Sequence, residues 1–307
     1  MIARAEAAPA KINLTLRVLG RRPDGYHQIE SLVAFARIAD RVTLRPGPAL
    51  TLSVTGPNAG SCGLLTDNLV LKAARLLADR LENIKLGQFT LTKRLPVAAG
   101  LGGGSSDAAA ALRLLAKLNN LPLGDRNLMD AAKATGADVP VCLDPRARLM
   151  RGIGDILSSP IQIASLPAVL VNPGVMVATA SVFESLRAAP YSPQPAVSLH
   201  PLLAQQDSGT GSPGMLTQEH RLALVTALAA ERNDLEAPAL KLAPEIADVL
   251  GELRKLATCR LARMSGSGAT CFGLFDSRRT ALAAARTLSA AHPSWWIKAT
   301  MLADSLT

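Results

Sequence analysis

The segment that most directly suggests chemistry is residues 100–106, which read GLGGGSS and are called the glycine loop below. An alanine-rich run at 108–118, a strong helix former, follows it. Backbone N–H groups at a helix start have no partner inside the helix, and the helix dipole adds about half a positive charge there. Because glycine lets an anion approach these donors closely, the pattern predicts a phosphate site. A turn that merely needs glycine is the alternative.

The residue order in the glycine loop excludes two familiar nucleotide-binding motifs. No lysine follows the glycines, as a Walker A motif requires, and Ser105 stands where a GxGxxG motif needs its third glycine. The HRD and DFG sequences of protein kinases are also absent. Ser105 and Ser106 add hydroxyl donors or an indirect hold on Mg²⁺, so the loop predicts a nucleotide phosphate site of another kind.

Two charged residues outside the loop, Asp138 and Lys11, each have a simple interpretation from the sequence alone. Asp138 precedes a Val-Pro pair, where a turn residue is the simpler interpretation. Lys11 lies in an alternating, strand-like segment, where a solvated lysine is the simpler interpretation. Sequence spacing alone does not bring these two residues together.

The elements that must position these residues are predicted from periodicity. Alternation predicts strands at 10–19, 29–38, 40–44, 50–54 and 88–95, and in the second half at 168–171, 259–264, 270–275 and 295–301. Helical spacing predicts helices at 68–81, 108–118, 130–135, 181–187, 222–230, 244–256 and 279–290. Asp67 is the expected cap of the first helix, and Ser105 or Ser106 the expected cap after the glycine loop, with Asp107 in its first turn. Residues 137–141 are expected to form a loop or a strand start.

These elements predict an α+β protein of two domains, 1–157 and 158–307, because strands and helices mix without regular βαβ alternation. The stretch 192–215 is rich in Pro, Ser, Gly and Gln and is expected to be a long mobile loop. The 49% of hydrophobic residues is enough for a full core. The net charge of +9 attracts anions, but basic residues occur as pairs, not as a stripe with interleaved aromatics. Anionic small substrates therefore suit the charge at least as well as nucleic acid does.

The four cysteines, at 62, 142, 259 and 271, show no CxxC spacing, and the four histidines are scattered. A disulfide framework or a zinc site is therefore not expected. We find no signal-peptide pattern and no apolar run long enough to cross a bilayer. A soluble cytoplasmic protein without a membrane partner is expected.

Four segments together carry a family resemblance. The stretch PVAAGLGGGSSDAAA at 96–110 resembles the ATP-binding motif of the GHMP kinase superfamily, and MSGSGATCF at 264–272 resembles its third motif. The segments AKINLTLRVLGRRPDGYHQIESL at 10–32 and GADVPVCL at 136–143 resemble one branch of it. Members of that branch phosphorylate 4-diphosphocytidyl-2-C-methyl-D-erythritol in the non-mevalonate isoprenoid pathway. The resemblance implies the two-domain fold of that superfamily, with the active site in the interdomain cleft.

The resemblance also implies roles for individual residues. Asp138 would be the catalytic base, with Lys11 beside it. Tyr26 and Phe183 would stack on the two faces of the cytosine, and His27 would hydrogen-bond its edge. The implied ATP-binding set is Asn68, Pro96, Val97, Ala98, Ala99, Gly100, Leu101, Gly102, Gly103, Gly104, Ser105 and Ser106. The implied substrate-binding set is Asn13, Tyr26, His27, Thr179, Phe183, Gly266, Ser267 and Gly268. Mg²⁺ is expected with ATP, and no protein ligand for it is identified.

Two other functions stay open at this point. One is a GHMP kinase for another small alcohol, such as homoserine or an isopentenyl precursor. The other is a basic nucleic-acid-binding module.

Overall fold

The computed structural model describes residues 2–192 and 217–303. Apart from Ser192, the mobile loop predicted at 192–215 lies outside these residues. By its own contacts the chain divides into two compact units. Unit 1 comprises Met1–Ile12 and Phe35–Pro145, and unit 2 comprises Asn13–Ala34 and Arg146–Thr307. The chain thus changes unit within its first strand and again within its third, whereas the sequence predicts one boundary near residue 157. That boundary stays a prediction.

Strands and helices occur in both units, which confirms the predicted mixture of α and β structure. The strands are β1 (Arg4–Asn13), β2 (Arg17–Arg21), β3 (His27–Pro46), β4 (Thr51–Thr55), β5 (Gly87–Thr92), β6 (Arg148–Gly152), β7 (Ile156–Leu157), β8 (Leu166–Asn172), β9 (Cys259–Met264), β10 (Cys271–Phe275) and β11 (Trp296–Leu302). The helices are α1 (Leu69–Ala78), α2 (Gly103–Asn119), α3 (Arg126–Thr135), α4 (Val139–Leu143), α5 (Thr179–Leu186), α6 (Gln218–Ala229), α7 (Glu236–Leu242), α8 (Glu245–Lys255) and α9 (Arg278–Ala291). None of the described helices is long and apolar enough to span a bilayer.

Three predictions about elements are corrected. The strand expected at 10–19 is interrupted between β1 and β2, because the N–H groups of Leu14 and Thr15 both turn to the carbonyl of Leu32. The two strands expected at 29–38 and 40–44 form the single strand β3. Residues 137–141 are neither loop nor strand start: α4 begins at Val139, and Pro140 fits its first turn because the N–H that proline lacks has no helical partner there.

In unit 1, a small sheet is covered by helices with alanine-rich faces. Strand β5 pairs in parallel with β4 and antiparallel with the last residues of β3, and β1 also pairs with β3. Helix α2 packs against α1, α3 and α4. Its residues 106–116 are all buried, and their many alanines allow this close packing.

In unit 2, the four strands β11, β8, β10 and β9 form an antiparallel sheet in that order. All seven residues of β8 are buried, because this inner strand is paired on both edges and packed against α9. Strands β2 and β6 pair with the first residues of β3 in the same unit. The β2–β3 turn and α5 carry Tyr26, His27, Thr179 and Phe183, which are predicted to bind the substrate.

Candidate active site

The glycine loop of unit 1 leads from β5 into α2, and its glycines allow the turn. Gly100 and Gly102 have φ values of +72° and +58°, which L side chains adopt at a cost. Helix α2 begins at Gly103, with Gly102 as its left-handed N-cap. The expected serine cap is therefore wrong, and Asp107 lies beyond the first turn. Since Gly102 already makes the turn, the first exposed N–H groups of the helix belong mainly to glycines.

The two serines of the loop have different surroundings. The Ser106 hydroxyl is buried and donates to the Pro9 carbonyl at 2.7 Å, and its N–H donates to the Gly102 carbonyl at 2.9 Å. The hydroxyl thus holds α2 against β1, and the N–H closes the first turn of α2. Ser105 is partly exposed, so its hydroxyl is the one that is accessible to a ligand.

Lys11 and Asp138 form an ion pair in unit 1, with 2.8 Å between Nζ and Oδ2. The lysine side chain is 5% exposed and the aspartate side chain 38%, so one carboxylate face is open to a substrate. The Lys11 N–H donates to the Leu101 carbonyl at 2.8 Å. A Cβ at Gly102 would lie 3.2 Å from both Cβ and Cε of Lys11. The ion pair therefore lies directly against the glycine loop.

Arg113 in α2, which the sequence analysis did not single out, joins the strand of Lys11 to the helix that follows Asp138. Its guanidinium donates to the carbonyls of Ala7 and Cys142 at 2.6 and 2.7 Å and pairs with Glu6 at 3.0 Å. The available signal was the position of Arg113 among the alanines and leucines of the helix predicted at 108–118. A charged residue that is buried in such a helix is normally paired. Arg113 thus fixes β1 relative to α4.

A second buried group of charges, also missed in the sequence, lies beneath the start of α2. Lys93 Nζ is 2.6 Å from Asp40 Oδ2 and 2.7 Å from Asp107 Oδ2. Asp40 Oδ1 also accepts from the N–H groups of Arg94 and Leu95. A Cβ at Gly103 would lie 3.1 Å from Lys93 Nζ. The three side chains thus support the glycine loop from inside unit 1.

One ammonium in this group faces two carboxylates, so the charges do not balance. Burial, assisted by the charge of Asp40, raises the pKa of Asp107 to about 7, against the opposing effect of Lys93. Asp107 Oδ1 accepts no hydrogen bond from any of the described residues. Asp107 is therefore the carboxyl of the group that takes up a proton near neutral pH.

The remaining residues of the predicted ATP set lie around the loop and at α1. Asn68 caps α1, with its side chain accepting from the Val70 N–H at 3.0 Å, so the expected cap at Asp67 is wrong. Asp67 instead ends a 3₁₀ turn, Leu65–Asp67. Ala98 has a left-handed φ of +52° before Gly100. The contacts of Pro96, Val97, Ala98 and Ala99 with a nucleotide stay predictions.

In unit 2, the β2–β3 turn and α5 line a pocket of about 730 Å³. The ring of His27 stacks on that of Phe183, with centroids 4.8 Å apart and planes at 28°. Tyr26, which also lines the pocket, is 60% exposed. Partial burial, followed by the charge of Arg21, lowers the pKa of His27, which favours the neutral imidazole at pH 7. The structure thus brings together the three rings predicted to bind a base, with His27 against Phe183.

The other predicted substrate residues of unit 2 belong to a polar region beside Ser267. Thr179 Oγ1 is 2.8 Å from Ser267 Oγ. Gly266 and Gly268 have left-handed φ values of +57° and +85°, which explains glycine at both positions. Asn13 is buried, and its side-chain amide donates to Ser31 Oγ at 2.7 Å. Asn13 is therefore held from within unit 2, and its contact with a substrate stays a prediction.

The comparisons with known proteins extend over both halves of the chain. Residues 68–144 match the family described as GHMP kinases N terminal domain, and residues 216–294 match GHMP kinases C terminal. The 4-diphosphocytidyl-2-C-methyl-D-erythritol kinase of Methylorubrum extorquens (strain PA1) is 56% identical over 297 residues, which cover 96% of this chain and 98% of that protein.

Solved structures of kinases are also similar to this chain over nearly its whole length. A crystal structure of 4-(cytidine 5'-diphospho)-2C-methyl-D-erythritol kinase has a TM-score of 0.73 and 33% identity, covering 98% of this chain and 100% of that one. The homoserine kinase of Cytophaga hutchinsonii, at 19% identity and a TM-score of 0.66 over 97% of this chain and 94% of its own, shares the fold alone. Since both domains match in order and a curated relative is similar over nearly the whole length, this chain belongs to the GHMP kinase family.

Proposed function

We propose that this protein transfers the γ-phosphoryl group of ATP to the 2-hydroxyl of 4-diphosphocytidyl-2-C-methyl-D-erythritol, giving the 2-phosphate and ADP. The observation that carries the kinase activity is the Lys11–Asp138 ion pair lying against Gly102 of the glycine loop. The choice of substrate is supported by the 56% identity with a kinase of that name.

The proton of the attacking hydroxyl passes to Asp138 in this mechanism. Its carboxylate is 38% exposed, so a hydroxyl can approach one side while Lys11 occupies the other. The Lys11 ammonium, 2.8 Å from the carboxylate, balances its charge and offsets negative charge that develops near it. The backbone N–H groups at the start of α2 receive the phosphates of ATP.

The cytidylyl end of the substrate binds in the pocket of unit 2. Phe183 offers a ring face, Tyr26 a second one, and the neutral His27 a nitrogen that accepts a hydrogen bond from an exocyclic amine. Because His27 covers part of Phe183, a base that stacks on Phe183 shares that ring with the imidazole or displaces it. Thr179, at the start of α5, is proposed to lie nearer the phosphates.

Mg²⁺ is proposed to arrive with ATP. Within residues 2–192 and 217–303, no group of three or more His, Cys, Asp and Glu side chains could hold a metal ion. The lack of such a group among these residues fits an ion that would be held mainly by phosphate oxygens and water, with the partly exposed hydroxyl of Ser105 as one protein oxygen that could contact it. When bound, Mg²⁺ neutralises phosphate charge.

The cytoplasm is the proposed location, with a small anionic molecule and not a nucleic acid or a membrane as the partner. All four cysteines are free, two of them buried, which suits a reducing compartment.

The substrate is tested by measuring ADP release with the cytidylyl methylerythritol substrate, homoserine and mevalonate under the same conditions. We expect turnover with the cytidylyl substrate alone, and a phosphorus NMR spectrum that shows a new phosphomonoester on the 2-oxygen. Faster turnover of homoserine or mevalonate would overturn the substrate while leaving the kinase assignment intact.

The placement of the two ligands is tested with Tyr26→Ala. Stacking on an aromatic side chain is worth about 1–3 kcal/mol per base, so we expect the KM for the cytidylyl substrate to rise roughly tenfold or more. The KM for ATP should stay within about twofold. A change in the ATP KM alone would mean that the two sites have been assigned the wrong way round.

A further inference from the structure

The end of β2 approaches the segment after α5 more closely than any side chain permits. A Cβ at Gly20 would lie 2.6 Å from Cα and 2.8 Å from N of Tyr191. Gly20 also has a φ of +147°, which L residues rarely adopt. Both neighbouring atoms belong to the backbone, so they cannot move aside as the end of a flexible side chain would.

Two backbone hydrogen bonds hold this approach in place. The Arg21 N–H donates to the Ala189 carbonyl at 2.7 Å, and the Tyr191 N–H donates to the Arg21 carbonyl at 2.7 Å. Arg21 and Pro190 form a parallel bridge between them. Residues 189–191 are called the tether below.

The tether connects the two walls of the pocket in unit 2. One wall is the β2–β3 turn, in which Tyr26 and His27 follow Arg21 within six residues. The other wall is α5, which carries Phe183 and ends at Leu186, three residues before Ala189. The distance between these walls decides whether His27 and Phe183 meet, as they do at 4.8 Å between ring centroids.

We propose that Gly20 is a positioning residue that sets the width of this pocket through its contact with the tether. The proposal rests on the proposed function, in which the pocket takes the cytidylyl end of the substrate. A methyl group at position 20 pushes Tyr191 away, breaks the two hydrogen bonds of Arg21 and separates Phe183 from the β2–β3 turn. Gly20 touches neither ligand and acts only through the two walls.

The test compares Gly20→Ala with Gly174→Ala. Gly174 also has a left-handed φ, +86°, but a Cβ there meets nothing within 4 Å, so it reproduces the backbone strain without the collision. For Gly20→Ala we expect the KM for the cytidylyl substrate to rise about tenfold, with the KM for ATP and kcat within about twofold. Gly174→Ala should leave all three values near those of the parent protein.

Equal changes in both variants, or a loss of kcat with unchanged KM, would overturn the proposal. Calorimetric binding of cytidine 5'-diphosphate serves as a readout without turnover, and it should weaken only in Gly20→Ala. If Gly20→Ala does not fold, Tyr191→Pro removes one tether hydrogen bond without adding bulk at position 20. It should raise the same KM, and an unchanged KM would contradict the proposal. If the parent protein does not phosphorylate the cytidylyl substrate, the proposed function fails instead.

Discussion

Lys11 and Asp138 come from opposite ends of unit 1, yet their charged atoms lie 2.8 Å apart. The buried lysine has a carboxylate partner, whereas the carboxylate keeps an open side. This asymmetry suits a base that receives a proton from outside while its charge is balanced from inside. The two residues are therefore expected to act as one functional unit.

Asp138→Asn keeps the shape of the side chain but cannot accept the hydroxyl proton at neutral pH. We expect kcat to fall about 10²–10⁴-fold, with the affinities for both ligands retained. Lys11→Met should also lower kcat severely, and the double variant should be little worse than the worse single one. Asp130→Asn, at an exposed carboxylate of α3, is the control. Multiplicative losses in the double variant would show that the two residues act independently.

Gly104 allows a test of the glycine loop, because its position is exposed and helical. A Cβ there would lie 3.4 Å from Leu69 Cδ1, an ordinary contact. Gly104→Ala should therefore stabilise α2 by about 0.5–1 kcal/mol, since alanine is the better helix former. The same methyl group should weaken ATP binding by blocking the backbone donors. Denaturant unfolding and calorimetry measure the two effects, and unchanged ATP affinity would count against this loop.

At this scale the sequence predicted the residue types that matter but not their partners. The glycine loop was recognisable because glycines before a strong helix former are a local pattern. Lys11 and Asp138 were paired only through the family resemblance, since the 126 residues between them carry no local signal of contact. Lys93, Asp40 and Arg113 were missed because a buried charge looks like a solvated one until its neighbours are known.

At the scale of elements, the buried group of Lys93, Asp40 and Asp107 joins the last part of β3, the end of β5 and the first turns of α2. The pKa of Asp107 is raised from 3.8 to about 7, so the folded state holds a proton on this carboxyl more tightly than the unfolded state does. The stability that this proton contributes is complete below about pH 4 and is lost as the pH rises through about 7. The junction beneath the glycine loop is therefore weaker above neutral pH than at pH 5.

Asp107→Asn removes this titration while keeping an acceptor for Lys93. Between pH 5 and pH 8, we expect the unfolding midpoint in denaturant to fall more for the parent protein than for Asp107→Asn. Titrating groups common to both proteins cancel in the difference. Asp130→Asn should follow the parent protein, and parallel curves for Asp107→Asn would show that this carboxyl does not titrate near pH 7.

Element types were predicted well where periodicity is strong, as in α1, β9 and α9. Boundaries failed where tertiary contacts decide them. The break after β1 depends on the Leu32 carbonyl, and the start of α2 on a left-handed glycine. The short elements β6, β7 and α7 were missed because an element of so few residues is too short to show a clear hydrophobic period.

The net charge of +9 is a property of the whole molecule and attracts anions in general. The salt dependence of binding distinguishes a small anionic substrate from a nucleic acid. A small substrate meets a few positive charges, so its KM should rise less than about tenfold between 50 and 200 mM salt. A nucleic-acid-binding protein that contacts six to ten phosphates loses about 10³–10⁵-fold in affinity over that range. We expect no saturable binding of a 20-base-pair duplex at 150 mM salt in a filter assay, and tight binding there would support the nucleic-acid alternative.

Strand β3 gives its first residues to unit 2 and its last residues to unit 1. The two units are therefore completed at different times as the chain is synthesised. All of unit 1 has left the ribosome once Pro145 has emerged. By then Asn13–Ala34 has also emerged, but β6, which pairs with Ile29–Val33, is not yet complete. The unit that contains Tyr26 and His27 is thus completed only after residues beyond Pro145 have been synthesised. Lys11 and Asp138, in contrast, have by then emerged together with every residue of their own unit.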